Sequence, residues 1–212
     1  MGRTSTRLHW HPLSGHSHRV RLMLSLLGRE VDLIEVDLKG GAHKAPDFIR
    51  LNSFGQVPVL EDDGVVIADS NAILVYLAVK YDASRRWYPQ EPVAAACVQR
   101  WLSVAAGQLA AGPAAARLAS VFGLPIDRAK AQVGARALFV IMEEELASRL
   151  FIAGPQPTIA DVSSYTYTAH APEGGVSLEP YPAVRAWLCR IEALPGFTPM
   201  KRSAVPGEAQ PI

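Results

Sequence analysis

The sequence has few of the features that mark secreted, membrane-spanning or nucleic-acid-binding proteins. Its two cysteines, Cys97 and Cys189, lack Cys-x-x-Cys or metal-ligand spacing, so we expect two buried thiols and no disulfide. Lys and Arg number 21 against 20 Asp and Glu, and this balance provides no long-range field for a polyanion. No run approaches the roughly 20 apolar residues of a membrane span. We therefore expect a cytoplasmic protein that binds neither nucleic acid nor a membrane.

The 212 residues, 49% of them hydrophobic, are enough for one or two domains with a sizeable core. The first part has the pattern of a βαβ unit followed by ββα. Residues 82–92 lose this periodicity and contain two prolines, as a linker does. Beyond them the apolar spacing is helical. We predict an α/β thioredoxin-like domain with a mixed four-stranded sheet over residues 1–84, a linker over 85–92 and an all-α domain over 93–212.

The segment around Val57-Pro58 and the following Asp69-Ser70 form the most specific pattern in the chain. A Val-Pro step that opens a strand can leave the amide and carbonyl of Val57 free to pair with a peptide. Gly64 predicts a hairpin turn, because it tolerates positive φ. Ser70 is a preferred N-cap for the next helix, whose free N–H groups attract a carboxylate. Asp69 beside it is suited to bind an ammonium group.

This order of strand, turn, strand and capped helix resembles the cytosolic glutathione transferases, and the resemblance extends over nearly the whole chain. Relatives have Gln or Lys before Val-Pro and an acidic residue or Gln before Ser, and here these are Gln56 and Asp69-Ser70. The resemblance implies that glutathione is the co-substrate and that the second substrate is a small electrophile. It also implies a homodimer and a role in detoxification.

Ser14 is the candidate catalytic residue. It lies between the first predicted strand and a helix whose apolar face includes Val20, Met23 and Leu24. A hydroxyl that donates to the glutathione sulfur beside a helix N-terminus favours the thiolate. In the serine-type phi, tau and zeta classes, a Ser precedes an Arg-Val pair at the spacing that Ser14 and Arg19-Val20 reproduce. Ser17, which suits the N-cap of the same helix, is the rival, and Ser14 could also be a turn or capping residue only.

The resemblance implies further glutathione contacts. His43 and Lys44 match a His-Lys pair that contacts the glycyl end in phi-like members, although a solvated loop explains the same residues. Gln56 could bind the same carboxylate, and Val57, with Pro58, presents main-chain bonds to the cysteinyl unit. A pocket for the second substrate is expected between the start of the first helix and the segments 108–117 and 170–175.

Four histidines, His9, His11, His16 and His18, lie within one short segment. Pairs at i and i+2 can place two rings on one strand face, so metal binding has to be considered. No acidic or cysteine cluster with ligand spacing accompanies them. We therefore expect strand-surface or pocket-lining histidines and no metal site.

The predicted function is that of a glutathione transferase. The same scaffold also supports glutathione-dependent isomerisation, peroxide reduction and ether cleavage, and some relatives are non-catalytic interaction proteins. No cysteine precedes Cys97, which disfavours thiol exchange through a mixed disulfide.

Overall fold

A computed structural model of the protein describes residues 6–203. Its first part contains a four-stranded sheet in the order β2-β1-β3-β4. β1 pairs parallel with β2 and antiparallel with β3, which pairs antiparallel with β4. The predicted mixed four-stranded sheet is confirmed. Its strands are β1 (Arg7–Trp10), β2 (Asp32–Glu35), β3 (Val59–Asp62) and β4 (Val65–Ala68).

The turn between β3 and β4 sets the register of this hairpin. Asp63 and Gly64 have φ values of 50° and 80°. Two-residue hairpin turns of type I′ need positive φ at both central positions, and Gly adopts it without a steric penalty. The turn places Val59 opposite Ala68, so the hairpin predicted from Gly64 is present.

Three helices accompany the sheet: α1 (Gly15–Leu26), α2 (Pro46–Leu51) and α3 (Ser70–Tyr81). A short 3-10 turn, Ala42–Lys44, precedes α2. α1 packs against α3, and Val20, Met23 and Leu24 of its predicted apolar face are all buried.

The second part is helical, as predicted. Its helices are α4 (Pro92–Ala106), α5 (Ala115–Phe122), α6 (Arg128–Ala147), α7 (Ile159–Ala169) and α8 (Pro182–Glu192). A proline at position 113 predicts an interruption of the helix that begins near Val93, but α4 already ends at Ala106. Pro113 instead lies inside a π-helical turn, Ala110–Ala114. The wider turn moves the preceding carbonyls away from where a proline ring collides with them in an α-helix.

Residues 82–91 join the two parts and contain neither helix nor strand. The ranges 1–84, 85–92 and 93–212 remain predictions of the domain boundaries. Residues 1–5 and 204–212, which these ranges include, lie outside the described residues.

A capping box at Thr158 and Asp161 begins α7, as the Thr-x-x-Asp pattern predicts. Asp161 Oδ2 accepts from the Thr158 amide at 2.8 Å. Its Oδ1 accepts from the Ile152 amide and from Trp187 Nε1, also at 2.8 Å each. The same carboxylate therefore joins the start of α7 to the loop before it and to α8.

The core contains two large tryptophan side chains, whereas the two thiols lie outside it. Trp101 and Trp187 are buried. Cys97 is half-buried and Cys189 is exposed, so the prediction of two buried thiols is wrong. Cys189 occupies the outer side of α8, because Trp187, Leu188 and neighbouring apolar residues form its buried face.

Among residues 6–203, no helix combines the length and the apolar character needed to cross a lipid bilayer.

Asp62, at the end of β3, ties the sheet to α3. Its carboxylate accepts from Thr6 Oγ1 at 2.7 Å and from Lys80 Nζ at 2.6 Å. The hydroxyls of Tyr76 and Tyr81 donate to it at 2.9 Å and 2.7 Å. Burial raises the pKa of Asp62, but these four hydrogen bonds outweigh burial and lower the pKa to about 2.

We predict that Asp62→Asn lowers the free energy of unfolding at neutral pH by about 2 kcal/mol. Because the folded-state pKa lies below the unfolded value, this stabilisation is complete above about pH 4 and is lost as the pH falls toward about 2. Urea titrations of both proteins should therefore converge over that interval. Asp47→Asn, at a side chain that is 89% exposed, is the control. A difference between Asp62→Asn and wild type that is independent of pH would show that the carboxylate charge is not its source.

Candidate active site

The predicted site residues lie at the edge of the sheet that is formed by the ends of its strands. β1, β2 and β4 end at this edge, and the antiparallel β3 begins there. The segments that follow or precede these strand ends contain Ser14, His43, Lys44, Gln56, Val57, Pro58, Asp69 and Ser70.

Ser14 is the N-cap of α1. Its Oγ accepts from the Ser17 amide at 3.2 Å, and its side chain is only half-buried. In this bond the hydroxyl is the acceptor, so its own proton is still available to a ligand. Ser14 is therefore a cap for the helix, which is one of its predicted roles.

Ser17 does not occupy the N-cap position that made it the rival. It lies one turn inside α1 and is fully buried, and its Oγ accepts from the His11 amide at 3.2 Å. The prediction of an N-cap at Ser17 is wrong because Ser14, with an extended backbone, is the residue that can reach the first free amides.

Val57 lies just before β3, beyond the paired part of the sheet. The ladder stops at Val59, which pairs with His9 on one side and with Ala68 on the other. The Val57–Pro58 peptide bond is cis. Val57 is half-buried and Gln56 is exposed, and the Gln56 carbonyl accepts from Asn52 Nδ2 at 2.8 Å. The main chain at Val57 is thus presented at an open end of the sheet.

Asp69, not Ser70, caps α3. Asp69 has φ 74°, and its Oδ1 accepts from the Ala72 amide at 2.9 Å. Ser70 is the first helical residue and is buried. The prediction of Ser70 as the N-cap is wrong because its hydroxyl faces α1, where it lies 3.2 Å from His16 Nδ1.

A buried arginine links the starts of α1 and α3. Arg19 is 1% exposed, and its Nη1 donates to His16 Nδ1 at 3.0 Å and to Ser70 Oγ at 3.2 Å. Its Nε and Nη2 are buried without a partner among residues 6–203. Burial, and then the charge of Arg19, lowers the pKa of His16 to about 3, so His16 is neutral. Arg19 is therefore a cation bonded only to neutral groups.

Tyr167 of α7 covers the start of α1. Its ring meets the His16 ring edge to face, with ring centroids 5.1 Å apart. The ring is so close that a Cβ on Gly15 would lie 2.6 Å from it, which explains a glycine at this position. The helical domain thus supplies one wall at the residue next to Ser14.

His43 and Lys44 lie in the 3-10 turn after β2. Lys44 Nζ donates to the carbonyls of Phe54 and Gly55 at 3.2 Å and 3.0 Å, so it joins this turn to the loop before β3. His43 Nδ1 is buried without a partner in the described part of the chain. Both residues thus lie beside the loop that presents Gln56 and Val57.

The four histidines have four separate surroundings. His9 Nε2 lies 2.6 Å from Glu61 Oε1, and His11 Nδ1 accepts from the Leu13 amide at 3.2 Å. His16 bonds to Arg19, and His18 Nε2 donates to the Thr198 carbonyl at 2.8 Å. The residues from 6 to 203 include no group of three or more His, Cys, Asp or Glu side chains placed to hold a metal ion.

The edge therefore offers an open main-chain segment, an exposed carboxylate at Asp69, two helix N-termini and the buried cation of Arg19. Helix N-termini carry partial positive charge and favour anions. This combination suits a short peptide with both an ammonium and carboxylate ends, and it can hold a thiol as its anion beside Ser14.

Comparison with known families agrees with this chemistry. The family model described as "Glutathione S-transferase, N-terminal domain" matches residues 6–79, and the family model described as "Glutathione S-transferase, C-terminal domain" matches residues 114–195. Human glutathione S-transferase theta-2 is 31% identical over 193 residues, which cover 87% of this chain and 79% of that protein. Maize glutathione S-transferase 3 is 32% identical over 201 residues and 90% of each chain.

Solved structures show the same fold. A glutathione S-transferase from Pseudomonas fluorescens Pf-5 superposes with a TM-score of 0.87 at 31% identity, covering 93% of this chain and 99% of that one. A glutathione transferase homologue from Drosophila mojavensis, solved with bound glutathione, has a TM-score of 0.81 at 26% identity, covering 90% and 89%. The fold and the site define a two-part, thioredoxin-like glutathione-binding architecture.

The chain belongs to the glutathione S-transferase family and is a glutathione transferase enzyme.

Several residues at this edge were not predicted as site residues. They are the half-buried His16 and the buried Arg19 of α1, the buried Tyr167 beside them, and the buried pair of Arg117 and Glu173, which reaches the turn before α1. Arg19 gave a usable signal, because a charged residue stood among the apolar positions of α1. Arg117 and Glu173 lie within the segments expected to border the pocket, but their pairing is visible only in three dimensions.

Proposed function

We propose that this enzyme activates glutathione through Ser14 and directs the sulfur at an electrophilic carbon of a small, mostly apolar substrate. The observation that carries the proposal is the position of the Ser14 hydroxyl, at the N-terminus of α1 and at the same edge as the open main chain of Val57. The hydroxyl would donate to the sulfur, and the helix start would favour the anion. Lowering a thiol pKa by about two units requires roughly 2.7 kcal/mol, which these two effects can supply.

The same edge accounts for the rest of the tripeptide. Val57 would pair with the cysteinyl unit through its main chain. Asp69 would bind the γ-glutamyl ammonium, while the buried Ser70, held by Arg19, would bind the adjoining carboxylate at the start of α3. The glycine carboxylate would lie near three further side chains, His43, Lys44 and Gln56.

Lys44 fits this role only in part. Two of its three N–H groups are used by the carbonyls of Phe54 and Gly55, which leaves one for a ligand. Pro58 shapes the segment that presents Val57. In this scheme residues 1–84 form the glutathione-binding domain, and the domain of residues 93–212 lines the pocket for the second substrate.

We predict that Ser14→Ala raises the pKa of the bound glutathione thiol by one to two units and reduces turnover at neutral pH by about 10- to 100-fold. The measurement is the ultraviolet absorbance of the thiolate against pH, together with turnover on an aryl halide. Ser14→Ala also removes a helix cap, which costs about 1 kcal/mol of stability. Ser14→Thr, which keeps the cap and the hydroxyl, should retain most of the activity.

Ser17→Ala distinguishes the role of Ser17 from that of Ser14. This change removes a buried bond to the His11 amide, so we expect lower stability with a nearly normal thiol pKa. If Ser17→Ala shifts the thiol pKa and Ser14→Ala does not, the assignment to Ser14 is wrong.

We predict that Asp69→Asn weakens glutathione binding about 10- to 100-fold while the fold is retained. Asn caps a helix as well as Asp and also tolerates positive φ, so the start of α3 is preserved and only the charge is lost. A hydrogen bond to a charged group contributes about 1.5–3 kcal/mol, which sets the size of the effect. Calorimetric titration with glutathione measures it, with Asp47→Asn as the control. Unchanged affinity in Asp69→Asn would remove Asp69 from the site.

We also propose that the enzyme is a homodimer. The side chain of Phe54, beside the glutathione edge, is 78% exposed. Val65 and Val66 on the edge strand β4, and Val79 on α3, are exposed apolar residues of the same part of the protein. Exposed apolar residues on an edge strand and on the elements near it are suited to association with a second copy.

We predict that Phe54→Ser raises the dimer dissociation constant at least about 10-fold, because burying a Phe side chain contributes about 1.5–3 kcal/mol. Sedimentation equilibrium measures this constant. Val140→Ser, at an exposed position on α6, should leave it unchanged. If Val140→Ser raises the dissociation constant and Phe54→Ser does not, the interface lies in the helical domain instead.

A further inference from the structure

Arg117 and Glu173 form a buried ion pair in the helical domain. Arg117 Nε lies 2.6 Å from Glu173 Oε2, and the two side chains are 0% and 4% exposed. Arg117 belongs to α5, and Glu173 belongs to the 3-10 turn Ala171–Gly174, which packs directly on α5.

The guanidinium of Arg117 also reaches the sheet domain. Its Nη1 donates to the carbonyl of Leu13 at 2.8 Å. This carbonyl belongs to the peptide group that joins Leu13 to Ser14. Because a guanidinium is planar and rigid, anchoring Nε on Glu173 also fixes the direction of Nη1. The ion pair therefore sets the position of the peptide group directly before Ser14.

The remaining hydrogen bonds of the turn 11–14 are local. The Ser14 amide donates to the His11 carbonyl at 3.0 Å, and the Leu13 amide donates to His11 Nδ1 at 3.2 Å. The His11 amide donates to Ser17 Oγ. Across residues 6–203, Arg117 supplies the one hydrogen bond that reaches this turn from outside residues 11–18. Local bonds give the turn its shape, whereas Arg117 fixes where it lies relative to the helical domain.

Glu173 is itself held from two further directions. Its Oε1 lies 2.5 Å from His170 Nδ1 and accepts from the Ser203 amide at 3.0 Å. Burial raises the pKa of Glu173, but hydrogen bonds from His170 and Ser203 and the charge of Arg117 lower it overall. The carboxylate is therefore ionised at neutral pH, and its orientation does not depend on Arg117 alone.

A buried ion pair is weak evidence of a role in stability. Both charges lose their hydration, and an apolar pair of similar volume often stabilises a fold as well or better. An apolar pair would lack the donor that reaches Leu13. This bond is thus the property of the pair that stability alone does not explain.

We propose that Arg117, oriented by Glu173, is a positioning residue for the thiol-activating serine: it fixes the Leu13 carbonyl and thereby holds the Ser14 hydroxyl in line with the glutathione sulfur. The inference rests on the proposed role of Ser14. Arg117 itself touches neither the sulfur nor the substrate in this scheme and acts through the Leu13–Ser14 peptide group.

The test is a double-mutant cycle between Arg117→Met and Ser14→Ala. With Ser14 present, Arg117→Met should reduce kcat about 10- to 100-fold and raise the thiol pKa of bound glutathione, with little change in glutathione affinity. In the Ser14→Ala background, the same change should alter kcat less than about 2-fold, because no hydroxyl remains to be positioned. Arg100→Met is the control, since it breaks the exposed Arg100–Glu145 pair of the same domain, which does not contact residues 11–14.

A second variant keeps the test decisive if Arg117→Met does not fold. Arg117→Met leaves the Glu173 charge buried without its cation, whereas Arg117→Met/Glu173→Met removes both charges and strands neither. The paired variant should fold and still show the raised thiol pKa, because the donor to Leu13 is missing. If neither variant folds, the ion pair serves the fold and the inference is wrong.

The experiment distinguishes failure of the role of Arg117 from failure of the role of Ser14. Equal losses of kcat in the Ser14 and Ser14→Ala backgrounds, or an unchanged thiol pKa, would overturn the role of Arg117 and leave that of Ser14 intact. A thiol pKa that Ser14→Ala itself does not change would instead overturn the proposed function, and the role of Arg117 with it.

Discussion

The antiparallel pairing of β3 with both β1 and β4 is the constraint on which the candidate site depends. It brings the end of β1, the start of β3 and the end of β4 to one edge of the sheet. The residues that leave or enter these strands are Ser14, Val57 and Asp69. They are far apart in the sequence, and a register shift by one residue would turn the side chains of β3 to the opposite face. The hairpin turn at Gly64 and the hydrogen bonds that Asp62 receives hold this register.

Charge at the site is set by which groups are buried together. The guanidiniums of Arg19 and Arg117 are both buried, and their charges lower the pKa of Tyr167, although burial raises it by more. Glu173 neutralises Arg117, whereas Arg19 bonds only to the neutral His16 and to Ser70. The start of α1 therefore has a positive charge nearby that forms no salt bridge in the described part of the chain and interacts only at longer range with the charge of Asp69. That is the electrostatic environment in which a thiolate is favoured.

Much of the architecture follows from local signals. Positive φ at Gly64, the Thr158–Asp161 capping box and the apolar face of α1 depend on neighbours within a few residues, and each is present. The predictions that were wrong depended on how the elements pack against one another. Asp69 and Ser70 are both good capping residues, and which of them caps α3 depends on the hydroxyl partner that α1 offers to Ser70. The exposure of Cys189 depends on which face α8 turns to the core.

The sequence by itself determined the types of its secondary structure elements and the residue classes at the strand ends, because these are properties of short segments. It also determined the family resemblance, through the spacing around Val57-Pro58 and Asp69-Ser70. Only the tertiary structure decided which buried polar groups meet. Arg117 is joined to Leu13 across 104 positions of the chain. No local pattern encodes such a contact, since it arises only when the fold places α5 beside the turn that precedes α1.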